Sequence, residues 1–211
     1  MSRIVLVRHG ETVWHAENRY AGRTDIALTP HGLSQAQHLA GWAATASLAA
    51  VWASSLTRAR LTAQPAAEAA GVPLQIDSRL LELDFGQGEG LTDQEQRERF
   101  PDARAAFVQD PAANFLPGGE DPVHAAQRGT EALHHIASVS GPDARTLVVA
   151  HSTLIRIVLC QLLHIPIPRY RDAFPNLANG TLTEIDLKSG HTSLLCFNLP
   201  LSGITSSIDH S

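Results

Sequence analysis

Ile4-Val5-Leu6-Val7 and Thr146-Leu147-Val148-Val149-Ala150 are apolar or β-branched at every position, not at alternate ones. A strand with one face in water alternates; a strand with no polar face must be covered on both sides. The two runs are far apart in the chain, with helix-like stretches between them. That pattern constrains the chain to an α/β domain, a sheet with helices packed on its faces. Ala49–Ala53 adds a weaker strand. Thr181–Leu187 and Thr192–Phe197 flank Lys188-Ser189-Gly190-His191 and read as a late hairpin, which brings antiparallel character to one side of the sheet.

Helices fill the intervals. Thr29-Pro30 is a helix start, Thr as N-cap and Pro at the first helical position, with Leu33, Ala36, Leu39, Ala40 and Ala43 recurring at helical spacing. A second helix is expected from Ser54-Ser55 to Gly71, with Pro65 kinking or dividing it. A third is expected from about Gly119 to Val139, stopped by Gly141-Pro142, and a fourth directly after His151. The spacing predicts one domain over residues 1–200, and residues 201–211 form a short polar tail expected to fray.

The net charge of −5 offers no general attraction to nucleic acid or to an anionic lipid surface, so neither is expected as a partner. Any anion this chain handles must meet a local basic cluster. The two cysteines, Cys160 and Cys196, lack metal-ligand or disulfide spacing, so no metal is expected. No apolar run approaches the ~18 residues of a membrane span, and the short run at the start is no secretion signal; a cytoplasmic protein is the expectation.

Each of the three strands is followed at once by reactive polar residues: Val7 by Arg8-His9-Gly10-Glu11-Thr12, Ala53 by Ser54-Ser55 with Arg58 close behind, Ala150 by His151-Ser152-Thr153. Ligands of open α/β sheets bind outside the carboxyl ends of the strands, where helix N-termini offer free N–H groups to an anion. Two His and two Arg converging there point to phosphate. Phosphoryl transfer spreads charge over three equatorial oxygens, which Arg8, Arg58 and His151 can meet. The two Arg also disfavour the imidazolium form of His9 and leave it a nucleophile.

Leu6-Val7-Arg8-His9-Gly10-Glu11-Thr12 resembles the signature of the histidine phosphatase superfamily, in the branch that includes cofactor-dependent phosphoglycerate mutase. The resemblance extends through Asn18, Gly22, Asp25, Leu28-Thr29, Ser54, Arg58-Ala59, Thr62-Ala63, Glu82, Phe85-Gly86, Glu89-Gly90, Pro117–Glu120 and Val149-Ala150-His151, covering roughly residues 3 to 187. It implies a three-layer sandwich with a mixed, mostly parallel central sheet of about six strands and helices on both faces. It also implies His9 as the phosphorylated nucleophile, Arg8, Arg58 and His151 as phosphate ligands, and Glu82 as general acid and then base. Asp84 and Glu89 are weaker candidates for that last role. Gly22 joins the substrate contacts by the same resemblance; Ser152 either adds a hydroxyl to the pocket or caps a helix. Thr12 either donates to phosphate or closes the turn; His15 and Arg23 are either substrate contacts or loop-surface residues.

Three positions depart from the family pattern. His15 stands where Asn often follows the Trp, so a protonated imidazole there would aid phosphate binding at mildly acid pH. Gly88 stands where Trp is common, which should open that wall. Ser152 stands where Gly is common. The stretch from Gly88 to Pro117, with Phe100, Phe107 and Phe115, is expected to select the substrate. The reading is a metal-independent phosphomonoesterase without cofactor, acting on a small phosphorylated metabolite; a mutase that returns phosphate to its substrate is the alternative, and a non-catalytic phosphate-binding module a weaker one. The resemblance also implies a homodimer.

Overall fold

A computed structural model describes residues 2–188 and 190–201. Six strands form one sheet in the order β3-β2-β4-β1-β5-β6. They are β1 (Ser2–Arg8), β2 (Ala50–Ala53), β3 (Leu74–Ile76), β4 (Arg145–Ala150), β5 (Leu182–Lys188) and β6 (His191–Leu199). β1, β2, β3 and β4 pair in parallel, and β5 and β6 add antiparallel strands on the β1 side. The sheet is therefore mixed and mostly parallel, as expected. The expected turn residue Ser189 and the expected frayed residues 202–211 lie outside the described residues.

Period-two alternation sorts the buried side chains of each central strand to opposite faces. Val5, Val7, Val51, Ala53, Leu147 and Val149 face one way, toward α1 (Pro30–Ala43) and α2 (Thr57–Ala70). Ile4, Leu6, Trp52, Val148 and Ala150 face the other way, toward α5 (Pro122–Ser140) and α6 (Ser152–Leu162). A fully buried Val, Leu or Ile stabilises by about 1.5–3 kcal/mol relative to an exposed one, so the two faces together fix the register of the central strands.

Several boundaries differ from expectation, each for a local reason. α2 begins at Thr57, after Ser54-Ser55, because Asp25 from a distant loop caps it: its carboxylate accepts from Thr57 N–H at 3.0 Å and from the Thr57 hydroxyl at 2.5 Å. Pro65 does not divide α2, which runs unbroken to a left-handed Gly71. The carbonyl that Pro65 leaves unpaired belongs to Leu61, on the exposed side of the helix, where water can serve it. α5 starts at Pro122 because Asp121 caps it, accepting from Val123 N–H at 2.7 Å. The edge strand β3 and the helices α3 (Asp93–Arg99), α4 (Pro101–Gln109) and α7 (Tyr170–Ala173) are additional to the expected elements. No helix among the described residues is long and apolar enough to cross a membrane.

The second layer closes tightly at Gly129 on α5, where an added Cβ would sit 2.5 Å from Val158 Cγ2 and 3.1 Å from Leu154 Cδ1 of α6. Val158 is β-branched and has little room to turn away. Gly129→Ala is expected to lower stability by about 1–3 kcal/mol, read from the urea midpoint at constant m; an unchanged midpoint would show that the interface has slack.

Candidate active site

Arg8 of β1 lies opposite Ala150 of β4 in parallel register, so the next residues, His9 and His151, leave the sheet side by side. His9 N–H donates to the Ala150 carbonyl at 3.0 Å, and the two imidazole centroids are 5.1 Å apart. β2 ends one strand away, and α2, which follows it, carries Arg58 into the same space. Arg58 is fully buried and its Nε donates to His9 Nε2 at 3.2 Å. The structure thus brings His9, Arg8, Arg58 and His151 together from three parallel strands.

The ring of His9 has a defined tautomer. Its Nδ1 lies 2.7 Å from the Gly10 carbonyl, which can only accept, so Nδ1 carries the proton and the Nε2 lone pair is free. Arg58 Nε–H at Nε2 requires the same assignment. Burial, then Arg58, then Arg8 hold His9 well below the ordinary histidine value, so the ring is neutral. The loop carrying it is rigidly held. Asn179 Nδ2 donates to the His9 carbonyl at 2.7 Å, and Gly10 N–H donates to Thr62 Oγ1 at 2.9 Å. A Cβ on Gly10 would meet the Gly32 carbonyl oxygen at 2.5 Å, so glycine is required where α1 abuts the loop.

Backbone carbonyls meet part of each guanidinium. Arg58 donates to Thr24 O at 2.7 Å and Gly22 O at 2.6 Å; Arg8 donates to Leu177 O at 2.6 Å. Burial, opposed by Glu82 and reinforced by Arg156 and Arg58, lowers the Arg8 guanidinium to about 10, so it remains charged at neutral pH. Among the described residues, Arg8 Nε and His151 Nδ1 are buried without a hydrogen-bond partner. An unmet buried donor or acceptor costs about 1–3 kcal/mol, and an oxyanion between the two rings would accept from such groups.

Glu82 is buried at the N-terminus of α6. Its Oε1 accepts from Leu83 N–H and Leu154 N–H, both at 2.8 Å, and its Oε2 from Thr153 N–H at 3.0 Å. Arg128 holds the segment from behind by donating to the carbonyls of Arg79, Leu81 and Glu82. Glu89 is occupied elsewhere. Its oxygens accept from the N–H groups of Arg23, Thr24 and Phe85 and from the Thr24 hydroxyl, which clamps the loop that in turn holds Arg58. Asp84 accepts from Gly86 N–H at 2.7 Å. Both side chains thus hold loop backbone in this structure.

The remaining expected contacts divide. Thr12 is fully buried, and its hydroxyl lies 2.8 Å from His15 Nδ1, which places it behind His15. Gly22 contributes its carbonyl to Arg58, and Arg23 reaches Glu120 at 3.3 Å at an exposed rim. Ser152 is the first residue of α6, half-buried beside His151. Three expectations are corrected. Arg8 Nη2 lies 2.6 Å from His15 Nε2, so that nitrogen must accept; burial and Arg8 lower the His15 value, and the expected imidazolium is disfavoured. Gly88 opens nothing, because Leu116 Cδ1 fills the space 2.4 Å from where its Cβ would be. Phe107 is a buried core residue packed on Tyr20 and Phe85, not a wall of the pocket.

Ser54, Thr62, Arg128 and Asn179 were not singled out as site residues from the sequence, and Glu89 was named there only as a weaker candidate for the acid role. Each acts through a contact distant in the chain, and no local pattern marks such a role. Among the described residues, no group of three or more His, Cys, Asp or Glu side chains is gathered as metal ligands would be.

The profile of the Histidine phosphatase superfamily (branch 1) matches residues 4–200. A glucosyl-3-phosphoglycerate phosphatase of Mycolicibacterium vanbaalenii is 33% identical over 198 residues, 90% of this chain and 85% of that protein. A probable phosphoglycerate mutase GpmB of Klebsiella pneumoniae is 32% identical over 186 residues, 88% of this chain and 85% of that protein. Among solved structures, Bacillus stearothermophilus YhfR superposes with a TM-score of 0.88 at 28% identity, over 95% of this chain and 98% of that one.

His9, His15 and His151 all have lowered values in the folded chain. Below about pH 6.5 the unfolded chain therefore binds more protons than the folded one, and stability falls as the pH drops. The urea midpoint is expected to be lower at pH 5.5 than at pH 7.5, with a shallower fall in His9→Asn; equal midpoints in the native chain would contradict the buried, neutral imidazoles.

Proposed function

The chain belongs to the histidine phosphatase superfamily, branch 1, and is a phosphoric monoester hydrolase; from that premise we propose that it works through a phosphohistidine on Nε2 of His9 and acts on a small phosphorylated metabolite. The observation that carries this reading is the neutral His9 ring, with its proton held on Nδ1 by the Gly10 carbonyl and its lone pair among Arg8, Arg58 and His151.

The substrate phosphate takes the place that the unmet donors leave. Arg58 Nε–H moves from His9 Nε2 to a phosphoryl oxygen, which frees the lone pair it was holding. Nε2 attacks phosphorus in line, the N–P bond forms as the P–O bond to the leaving group breaks, and Glu82 gives that oxygen a proton. Oε2 is the better candidate to carry the proton, since it accepts one backbone N–H while Oε1 accepts two. A water then gives its proton to Glu82 and attacks phosphorus. The N–P bond breaks, its electron pair returns to Nε2, and inorganic phosphate leaves. Charge developing on the equatorial oxygens is met by Arg8, Arg58 and His151, positioned in advance. This account needs no resident metal or cofactor.

A relative named as a probable phosphoglycerate mutase favours a second reading, in which the phosphoenzyme returns its phosphate to the substrate. The stretch between Gly90 and Pro117 is short, and an uncovered pocket admits water, which favours hydrolysis. A relative named for a phosphorylated glyceric acid derivative supports phosphoglycerate-type and sugar phosphates as the first compounds to try.

Two measurements test the scheme. The protein is expected to release inorganic phosphate from p-nitrophenyl phosphate in EDTA, and from 3-phosphoglycerate without forming the 2-isomer; an absolute requirement for added divalent metal, or isomer as the main product, would contradict it. Glu82→Gln is expected to slow an alkyl phosphate by about 10²–10⁴-fold and p-nitrophenyl phosphate much less in the phosphorylation step, because nitrophenolate leaves without a proton. Equal losses for the two leaving groups, by rapid-quench measurement of that step, would remove Glu82 from the acid role.

A further inference from the structure

The Ser54 hydroxyl is fully buried at the end of β2, and among the described residues it meets two groups: Leu56 N–H, which donates to it at 3.4 Å, and His151 Nε2 at 2.8 Å. A hydroxyl has one hydrogen to give. Leu56 is a donor, so the Ser54 hydrogen has one acceptor available, the His151 Nε2 lone pair. His151 is itself completely buried, and its other nitrogen, Nδ1, has no hydrogen-bond partner among the described residues. A ring that accepts at Nε2 and is neutral carries its single proton on Nδ1.

We propose that Ser54 is a positioning residue that sets the tautomer of His151: Ser54 Oγ–H donates to Nε2, the ring proton is held on Nδ1, and His151 presents a fixed N–H donor to the phosphoryl oxygens. The inference rests on the reading of His151 as a phosphate ligand. Neutrality of the ring follows from its burial and from Arg58 and His9 beside it, which hold His151 well below the ordinary histidine value. A neutral imidazole with the opposite tautomer would turn a lone pair on the anion instead of a donor, a repulsive contact. α6 begins directly after His151. Ser152 at its first position has no intrahelical acceptor for its N–H, while Thr153 and Leu154 donate to Glu82. Nδ1 is the ring nitrogen closer to His151's own main chain, so Nδ1–H and the Ser152 N–H make a natural pair of donors at one helix start.

The test follows the tautomer and the function separately. Long-range ¹⁵N–¹H spectra of the ligand-free protein, labelled at histidine, are expected to show His151 as the Nδ1–H form. In Ser54→Ala that signal should move to the Nε2–H form or to an averaged mixture, and inorganic phosphate affinity and kcat should each fall by about 100-fold, the scale of one lost oxyanion donor. Ser54→Thr, which keeps a hydroxyl, is expected to restore both, and an unchanged urea midpoint in Ser54→Ala separates the effect from loss of structure. The Nε2–H form in the native protein, or an Nδ1–H form that persists in Ser54→Ala, overturns the proposal. A tautomer that switches while phosphate affinity holds also overturns it. If His151→Ala then binds phosphate as the native chain does, the fault lies in the reading of His151 and not in the Ser54 hydrogen bond.

Discussion

The parallel register of β1 against β4, with Arg8 opposite Ala150, is the constraint on which the rest depends. It makes two strands separated by most of the chain end at the same level, so that His9 and His151 enter one space. The register is held by the alternation of Ile4, Val5, Leu6 and Val7 between two buried helical layers. A slip of one residue would exchange the faces of β1 and expose each layer to the wrong side chains. Packing far from the chemistry therefore determines a ring-to-ring distance at the site.

The second constraint is electrostatic. A guanidinium taken out of water needs compensation, and Arg58 finds it in the Gly22 and Thr24 carbonyls and Arg8 in the Leu177 carbonyl. Backbone oxygens offset part of the charge without neutralising it, which a carboxylate would do. The cations remain available to an anion and keep the neighbouring imidazoles neutral. Glu89 works one step further out: its carboxylate binds the backbone of the 22–24 loop, whose carbonyls hold Arg58. A negative charge is thus used to shape the site from behind while the pocket itself stays positive.

Much of this was legible in the sequence, for identifiable reasons. The β1 and β4 runs are apolar at every position, and the residues that follow them are reactive, so both the sheet and the edge carrying the site could be read from local pattern. β3 was not legible because a three-residue edge strand is half exposed and carries little periodicity. α3 and α4 were read only as a variable wall, and Phe107, placed in that wall, turned out to be core because α4 folds back onto Tyr20 and Phe85. At the site, the residues adjacent to strand ends could be named, while Thr62, Arg128 and Asn179 could not, because each holds a main-chain atom between about 46 and 170 positions away. His15 shows the limit most clearly. Its type suggested a charged donor, whereas Arg8 at 2.6 Å from its Nε2 makes it an acceptor, a reversal set by one neighbour's position.

The central claim is that Nε2 of His9, and not Nδ1, receives the phosphoryl group, because the Gly10 carbonyl holds the proton on Nδ1. Rapid quenching during turnover of a ³²P-labelled substrate, followed by alkaline digestion and separation of phosphohistidine isomers, tests this directly. The account predicts acid-labile label on His9 as the Nε2 isomer, formed at a rate no slower than turnover. Label as the Nδ1 isomer, label on another residue, or turnover with no protein-bound phosphate would contradict it.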